Sequence, residues 1–224
     1  KSQKELVSNV DMKCQQLSYD LLTGETRYPI LSEEIRNTTE IAEDYCWIVD
    51  PLDGSHNFIS GLPAFGVSIA LVKNRKSVVG VLYLPFYDML YSAIKGRGAY
   101  MNGQKICVST NNNLEKSMIT YDNMFHTDIN IIKRFEKIID RSFTVRITGS
   151  AIYDFSLIAS GKIDSRVWNN TKMYDFSAGG LIIEEAGGKI TNFKGKPITL
   201  KTKDIIASNG LVHNEIISII NQTD

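Results

Sequence analysis

The chain has 224 residues, of which 43% are hydrophobic and 22% charged, and its 25 basic residues balance 25 acidic ones. A neutral balance without a basic run argues against a nucleic-acid-binding protein, and no apolar run approaches the roughly 20 residues that span a bilayer. The three cysteines are widely separated and form no C-x-x-C pair, which favours reduced thiols and a cytoplasmic location over a disulfide framework.

The first half of the sequence is rich in predicted strands. We expect an amphipathic helix over Asp11 to Leu22 and an exposed loop over Ile35 to Asp44. A buried strand follows at Cys46 to Val49, and the chain should end the strand and turn within Asp50–Ser55, because Pro51 has no backbone N–H and Gly54 permits positive φ. Three more strands, antiparallel in character, are predicted over Phe65–Val72, Ser77–Leu84 and Met89–Ile94.

The second half alternates helices and strands. Helices are predicted over Ile129–Ile139, Ala151–Ser160, Asp175–Ala186 and Val212–Ile220. Strands are predicted over Phe143–Ile147, Ile163–Trp168 and Ile205–Ser208. Because no repeat or flexible linker divides the chain, we expect one layered α/β domain over residues 1–224, with halves at roughly 1–115 and 116–224.

The segment from Asp50 to Ser55, D-P-L-D-G-S, holds two carboxylates three residues apart after a buried strand. Gly54 permits positive φ, so the chain can turn there and aim free N–H groups at the same place. Carboxylates suit Mg²⁺ and backbone N–H groups suit a phosphate. This spacing indicates metal-dependent phosphate chemistry.

Three further acidic residues could converge on this turn. Glu33 and Glu34 follow a predicted strand, and Asp175 begins a glycine-rich helix. Each has an ordinary alternative, because Asp175 could be a helix cap and the two glutamates a solvated surface. Spacing alone does not bring Glu33 and Asp175 together, so the alternatives stay open at this point.

Two long motifs show that the chain resembles the inositol monophosphatase family. The first is W-I-V-D-P-L-D-G-S-H-N-F from Trp47 to Phe58, and the second is Y-D-F-S-A-G-G-L-I-I-E-E-A-G-G from Tyr174 to Gly188. Shorter matches are L-V-S-N-V-D at residues 6–11, S-E-E at residues 32–34 and G-S-A at residues 149–151. The matches occur in family order and span nearly the whole chain.

The resemblance implies a Mg²⁺-dependent, lithium-sensitive phosphomonoesterase that uses metal-activated water and two or three ions. The metal ligands implied are Glu33, Asp50, the carbonyl oxygen of Leu52, Asp53 and Asp175. The catalytic residues implied are Asp50, with Glu33 and Ser55 to orient and help deprotonate the water. The substrate contacts implied are Gly54, Ser55, Gly149, Ser150, Ala151 and Trp168, with Asp11 and Glu34 near the site.

Two departures from the family motifs bear on the substrate. Ser55 stands where Thr is usual and keeps the hydroxyl group. Trp168 stands where inositol-specific members carry a Glu, and an indole has no acceptor for sugar hydroxyls. The small phosphorylated alcohol could therefore be inositol monophosphate, histidinol phosphate, fructose 1,6-bisphosphate or a 3′-phosphoadenosine nucleotide. A non-catalytic regulatory or interaction homologue is the alternative from another class.

The family resemblance also implies a layered α-β-α-β-α sandwich, with a large antiparallel sheet and a smaller mixed sheet. The family is commonly dimeric, so the resemblance implies a homodimer. The neutral charge balance and the lack of a long apolar run predict no nucleic-acid or membrane partner. The sequence starts just before the L-V-S-N-V-D segment, so we expect the first family helix to be missing from this chain. An exposed apolar strip, or a contact with another subunit, is expected in its place.

Overall fold

A computed structural model describes residues 9–33, 44–125 and 129–222. The first half of the described chain forms a seven-stranded sheet whose strands lie in chain order. They are β1 (Ile30–Ser32), β2 (Tyr45–Asp53), β3 (Gly66–Lys73), β4 (Lys76–Leu84), β5 (Met89–Ile94), β6 (Ala99–Met101) and β7 (Gln104–Ile106). Every neighbouring pair is antiparallel except β1 and β2, which run parallel. The large sheet is thus confirmed, with one parallel pair at its edge.

The second half of the described chain forms a five-stranded mixed sheet in the order β11-β12-β10-β8-β9. Its strands are β8 (Met118–Tyr121), β9 (Thr144–Arg146), β10 (Ser165–Trp168), β11 (Lys189–Asn192) and β12 (Ile205–Ser208). The sequence prediction misses β8 and β11, whereas it gives β12 its observed bounds.

The helices complete a layered architecture. They are α1 (Asn9–Glu25), α2 (Ser55–Ile59), α3 (Ile129–Arg141), α4 (Ala151–Ala159), α5 (Met173–Glu185) and α6 (His213–Ile220). Helix α1 packs on β2, α4 and α5 contact strands of both sheets, and α3 and α6 pack against each other beside the smaller sheet. This arrangement confirms the predicted fold class. None of the described helices is both long and apolar enough to cross a membrane.

Strand β2 runs past its predicted last residue, Val49, and through Pro51, although the chain does turn at Gly54 as predicted. The strand continues to Asp53, and its pairing with β3 shifts register between Asp50, opposite Ser68, and Asp53, opposite Gly66. Three steps on β2 thus face two on β3, which is a bulge that accommodates a residue lacking an N–H. The bulge bends the end of the strand. The predicted loop over 35–44 lies almost entirely outside the described residues.

A buried histidine links α6 to the smaller sheet. The ring of His213 is fully buried, with Ser208 Oγ 2.8 Å from its Nδ1 and Thr191 Oγ1 2.8 Å from its Nε2. Burial, with a smaller contribution from Lys189, lowers the pKa of His213 to about 4. The folded protein therefore holds this ring neutral, whereas the unfolded chain protonates it below about pH 6.5.

Replacing His213 by Gln should make the protein less sensitive to acid. Because the pKa of His213 is about 4 in the folded protein and about 6.5 in the unfolded chain, the neutral ring favours the folded state above pH 6.5. This contribution to the free energy of unfolding is lost as pH falls toward 4. We expect wild type to lose about 2 kcal/mol more than H213Q between pH 7.5 and pH 5. Urea unfolding at both pH values measures the difference, and equal losses in the two proteins would contradict it.

Candidate active site

Three carboxylates from distant parts of the chain meet at one end of the large sheet. Ligand oxygens of Glu33, Asp50 and Asp175 all lie within 4.8 Å of one another. Glu33 directly follows β1, and its N–H donates to Val49 O over 3.3 Å, so the parallel β1–β2 pair places it beside Asp50. Asp175 comes from the first turn of α5.

Asp175 accepts hydrogen bonds at the N-terminus of α5 and also belongs to the carboxylate cluster. The helix begins at Met173, two residues earlier than predicted, so Asp175 is not the N-cap. Its Oδ2 accepts hydrogen bonds from the Lys172 N–H at 2.7 Å and the Thr171 hydroxyl at 3.0 Å. Oδ1 accepts none from the described residues and remains available to a cation. The helix-cap and metal-ligand interpretations are therefore compatible.

Burial and mutual repulsion destabilise the ionised forms of the clustered carboxylates. Burial, followed by the neighbouring charges of Asp53, Glu33 and Asp175, raises the pKa of Asp50 well above its ordinary value. Burial also raises the pKa of Asp175 to about 7, against the lowering effect of the Lys172 N–H. Oxygen-only donors that repel one another when ionised suit a hard divalent cation, which would relieve that repulsion. The residues present fit Mg²⁺.

Asp53 lies outside this three-carboxylate group and is held by the start of α4. Its Oδ2 accepts hydrogen bonds from the Ser150 hydroxyl and from the Ile152 N–H at 3.1 Å. Ser150 is also the N-cap of α4, since its Oγ accepts from the Tyr153 N–H. The hydroxyl predicted to contact substrate thus holds a candidate metal ligand in place.

The Gly54 turn connects β2 to the short helix α2. Gly54 has φ +79°, and a Cβ there would lie 2.6 Å from Ala64 O, so no larger residue fits without a shift of the backbone. Ser55 Oγ lies 2.8 Å from Leu52 O and 2.8 Å from Asp11 Oδ1, either of which can accept its hydrogen. Asp11 is therefore a neighbour of Ser55. Glu34 lies outside the described residues.

A cavity of about 110 Å³ adjoins Asp53. The predicted substrate residues Gly149, Ala151 and Trp168 line it, and so does Arg166, whose guanidinium carbon lies 4.2 Å from the Trp168 ring centroid. Trp168 thus forms an aromatic wall of a space next to a candidate metal ligand. The cavity is smaller than the roughly 300–1,000 Å³ that is typical of small-molecule sites.

Sequence reasoning missed two sets of positioning residues. Asn57 donates from Nδ2 to Ala64 O at 2.7 Å and to Thr148 O at 2.8 Å, which ties the first motif to the turn before α4. Its place inside that motif was the available signal. Arg166 and Asp154 form a buried ion pair behind the same turn, and no local pattern marks either residue.

A profile of the inositol monophosphatase family matches residues 1–224, the whole chain. The chain belongs to this family. Its members are phosphatases that act on small phosphorylated substrates, and this protein is accordingly a phosphoric monoester hydrolase.

Individual relatives agree with the family assignment. Fructose-1,6-bisphosphatase/inositol-1-monophosphatase from Thermotoga maritima is 35% identical over 221 residues, which are 98% of this chain and 84% of the relative. The crystal structure of extragenic suppressor protein suhB from Bartonella henselae has TM-score 0.94 and 30% identity, covering 100% of this chain and 88% of that one. An IMPase/NADP phosphatase complexed with Mg²⁺ and phosphate has TM-score 0.91 and 28% identity, covering 100% and 86%.

Proposed function

We propose that this family member is a Mg²⁺-dependent phosphomonoesterase that hydrolyses a small phosphorylated alcohol, such as inositol monophosphate. The observation that carries the proposal is the group formed by Glu33, Asp50 and Asp175, whose ligand oxygens lie within 4.8 Å of one another. The similarity to a phosphatase solved with Mg²⁺ and phosphate supports the choice of cation.

The residues of the proposed site have different roles in metal binding, water activation and phosphate binding. Glu33, Asp50, Asp53, Asp175 and the Leu52 carbonyl oxygen would hold two or three Mg²⁺ ions. When bound, Mg²⁺ supplies Lewis-acid stabilisation of charge on the phosphoryl group. Glu33 and the Ser55 hydroxyl would orient the attacking water, with Glu33 accepting its proton. The N–H groups of Gly54 and Ser55 would hold the phosphate at the turn.

The leaving alcohol would occupy the cavity beside Asp53. Gly149, Ala151 and Trp168 line that space, and Ser150 contributes indirectly through its hydrogen bond to Asp53. Inhibition by Li⁺ and a homodimer belong to the same proposal and rest on family membership. Enzyme assays with LiCl and size-exclusion chromatography with light scattering test them separately.

Phosphate release tests the proposed function. The substrates are inositol 1-phosphate, histidinol phosphate, fructose 1,6-bisphosphate and 3′-phosphoadenosine 5′-phosphate, each assayed with Mg²⁺ and with EDTA. We expect hydrolysis of at least one substrate with Mg²⁺ and none in EDTA. Hydrolysis that persists in EDTA would overturn the metal-dependent mechanism, and no hydrolysis of any substrate would favour a non-catalytic homologue.

Mg²⁺ should stabilise the protein more at pH 8 than at pH 6. The raised pKa of about 7 for Asp175 means that its carboxyl is mostly protonated at pH 6, so a cation must displace that proton. At pH 8 the Asp175 carboxylate is ionised and repels the neighbouring carboxylates, which lowers the stability of the metal-free fold. A bound cation removes this repulsion and restores the stability. We expect the Mg²⁺-dependent rise in melting temperature to be larger at pH 8 by at least about 3 °C.

Differential scanning fluorimetry in EDTA and in Mg²⁺ measures this pH dependence. Asp175→Asn provides the matched control. The amide does not titrate, so the Mg²⁺-dependent rise should grow less with pH than in the wild type, although Asp50, whose pKa burial also raises, is still present. Equal rises at both pH values in the wild type would contradict the prediction.

A further inference from the structure

Lys172 places an ammonium group against the carboxylate cluster. Its Nζ lies 3.2 Å from Glu33 Oε1, and the lysine side chain is 58% exposed. Among the described residues, this is the ion pair that reaches the Glu33, Asp50 and Asp175 group. A half-exposed ammonium thus lies between the carboxylates and solvent.

The backbone of Lys172 is held firmly while its side chain is not. Lys172 is the N-cap residue of α5, and its N–H donates to Asp175 Oδ2 over 2.7 Å. The ammonium has Glu33 as its hydrogen-bond partner and otherwise extends toward water. If it leaves Glu33, the fixed backbone keeps it at the rim of the site.

A cation bound by Glu33 would compete directly with this ammonium, because two positive groups at one carboxylate repel each other. Loading of the proposed Mg²⁺ site therefore favours release of Lys172 from Glu33. A released ammonium at the rim of the carboxylate cluster is available to an anionic group that the substrate brings with it.

Two residues of the cavity beside Asp53 weaken its binding of a neutral polyol. Trp168 supplies an indole in place of a carboxylate acceptor. The carboxylate of Asp122, which also lines the cavity, already accepts hydrogen bonds from the Met124 N–H and from both the N–H and the amide group of Asn169. Trp168 thus supplies no acceptor for a sugar hydroxyl, and the acceptors of Asp122 are already hydrogen-bonded within the protein.

We propose that Lys172 is a specificity-determining residue whose ammonium exchanges Glu33 for an anionic group on the substrate's alcohol portion. The protein would then prefer phosphorylated alcohols that carry a second phosphate or a carboxylate. This inference rests on the proposed function, since it concerns the substrate of the same site.

Matched substrates isolate the second anionic group. The ratio of kcat/KM for fructose 1,6-bisphosphate to that for fructose 1-phosphate, at saturating Mg²⁺, should fall about tenfold in Lys172→Met, the scale of one charge-assisted contact. Lys172→Arg should retain most of the ratio because it keeps the charge. Lys194→Met, which removes an exposed lysine on a distant turn, is the matched control and should leave the ratio unchanged.

Metal affinity tests the role of Lys172 without measuring catalytic activity. Titration calorimetry of the substrate-free protein with Mn²⁺ should show severalfold tighter binding in Lys172→Met, because the competing ammonium is gone, and little change in Lys172→Arg. An unchanged substrate ratio with Mg²⁺-dependent hydrolysis intact, or unchanged Mn²⁺ affinity, would overturn the role of Lys172. Failure to hydrolyse any of the four substrates of the phosphate-release assay would instead count against the proposed function, and the Mn²⁺ titration would still decide whether Lys172 exchanges with the metal.

Discussion

Replacing Asp50 by Asn is expected to lower Mg²⁺-dependent phosphate release at least about a thousandfold, the rate equivalent of roughly 4 kcal/mol of lost transition-state stabilisation. Asp50 is 1% exposed and lies at the centre of the carboxylate cluster, next to Glu33 and Asp175 and electrostatically coupled to Asp53. A neutral amide cannot replace it as an anionic ligand. The loss should appear in kcat, measured as inorganic phosphate at saturating substrate.

The same variant should fold normally, which separates lost chemistry from lost structure. Burial raises the pKa of Asp50, so the ionised carboxylate costs stability in the metal-free protein and its removal should leave the urea midpoint in EDTA equal or higher. Asp20→Asn, an exposed change on α1, is the control and should keep full activity. An active Asp50→Asn protein would refute the assigned metal site.

Replacing Gly80 by Ala should destabilise the protein by about 3 kcal/mol through overpacking. Gly80 lies in β4 where the backbone of α5 crosses the sheet, and a Cβ there would lie 2.7 Å from Ala178 O and 3.2 Å from its Cα. These are backbone atoms, which cannot rotate away as a side chain can. The helix itself would have to move, and with it Asp175, three residues before Ala178.

Urea unfolding of the metal-free protein measures the loss of stability, and a weaker response to Mg²⁺ should accompany it. Gly24→Ala is the matched control, because nothing lies within 4 Å of a Cβ at that position in α1. There the substitution should be neutral or stabilise by up to about 1 kcal/mol, since Ala favours helix. Equal effects of the two substitutions would show that α5 does not pack on β4 as closely as described.

Local pattern was sufficient for much of the fold. Strand β5 has its predicted bounds, and β3 and β4 differ from theirs by one residue, because their residues alternate between buried and exposed positions. Pro51 misled the prediction of β2, since a bulge lets the strand continue past a residue without a donor. Such a bulge depends on the partner strand and leaves no trace in local spacing.

The sequence was sufficient to predict which residues belong to the candidate site. It was much less informative about which of them contact one another. Spacing alone suggested Asp50 and Asp53 as neighbours on one turn, whereas the structure groups Asp50 with Glu33 and Asp175. The family motifs supplied that long-range convergence. The hydrogen bond from Ser150 to Asp53 joins residues far apart in sequence, and only the packing of α4 between the sheets reveals it.

The distance in sequence between the three clustered carboxylates bears on the protein's biosynthesis. Glu33 and Asp50 are translated early, whereas Asp175 follows most of the chain and reaches them only once α5 packs on the large sheet. A nascent chain therefore has no complete cation site while its second half is still in the ribosome. Capture of the proposed metal would therefore be one of the last steps in the maturation of this protein, and the polypeptide would fold with Lys172 as the cationic partner of Glu33.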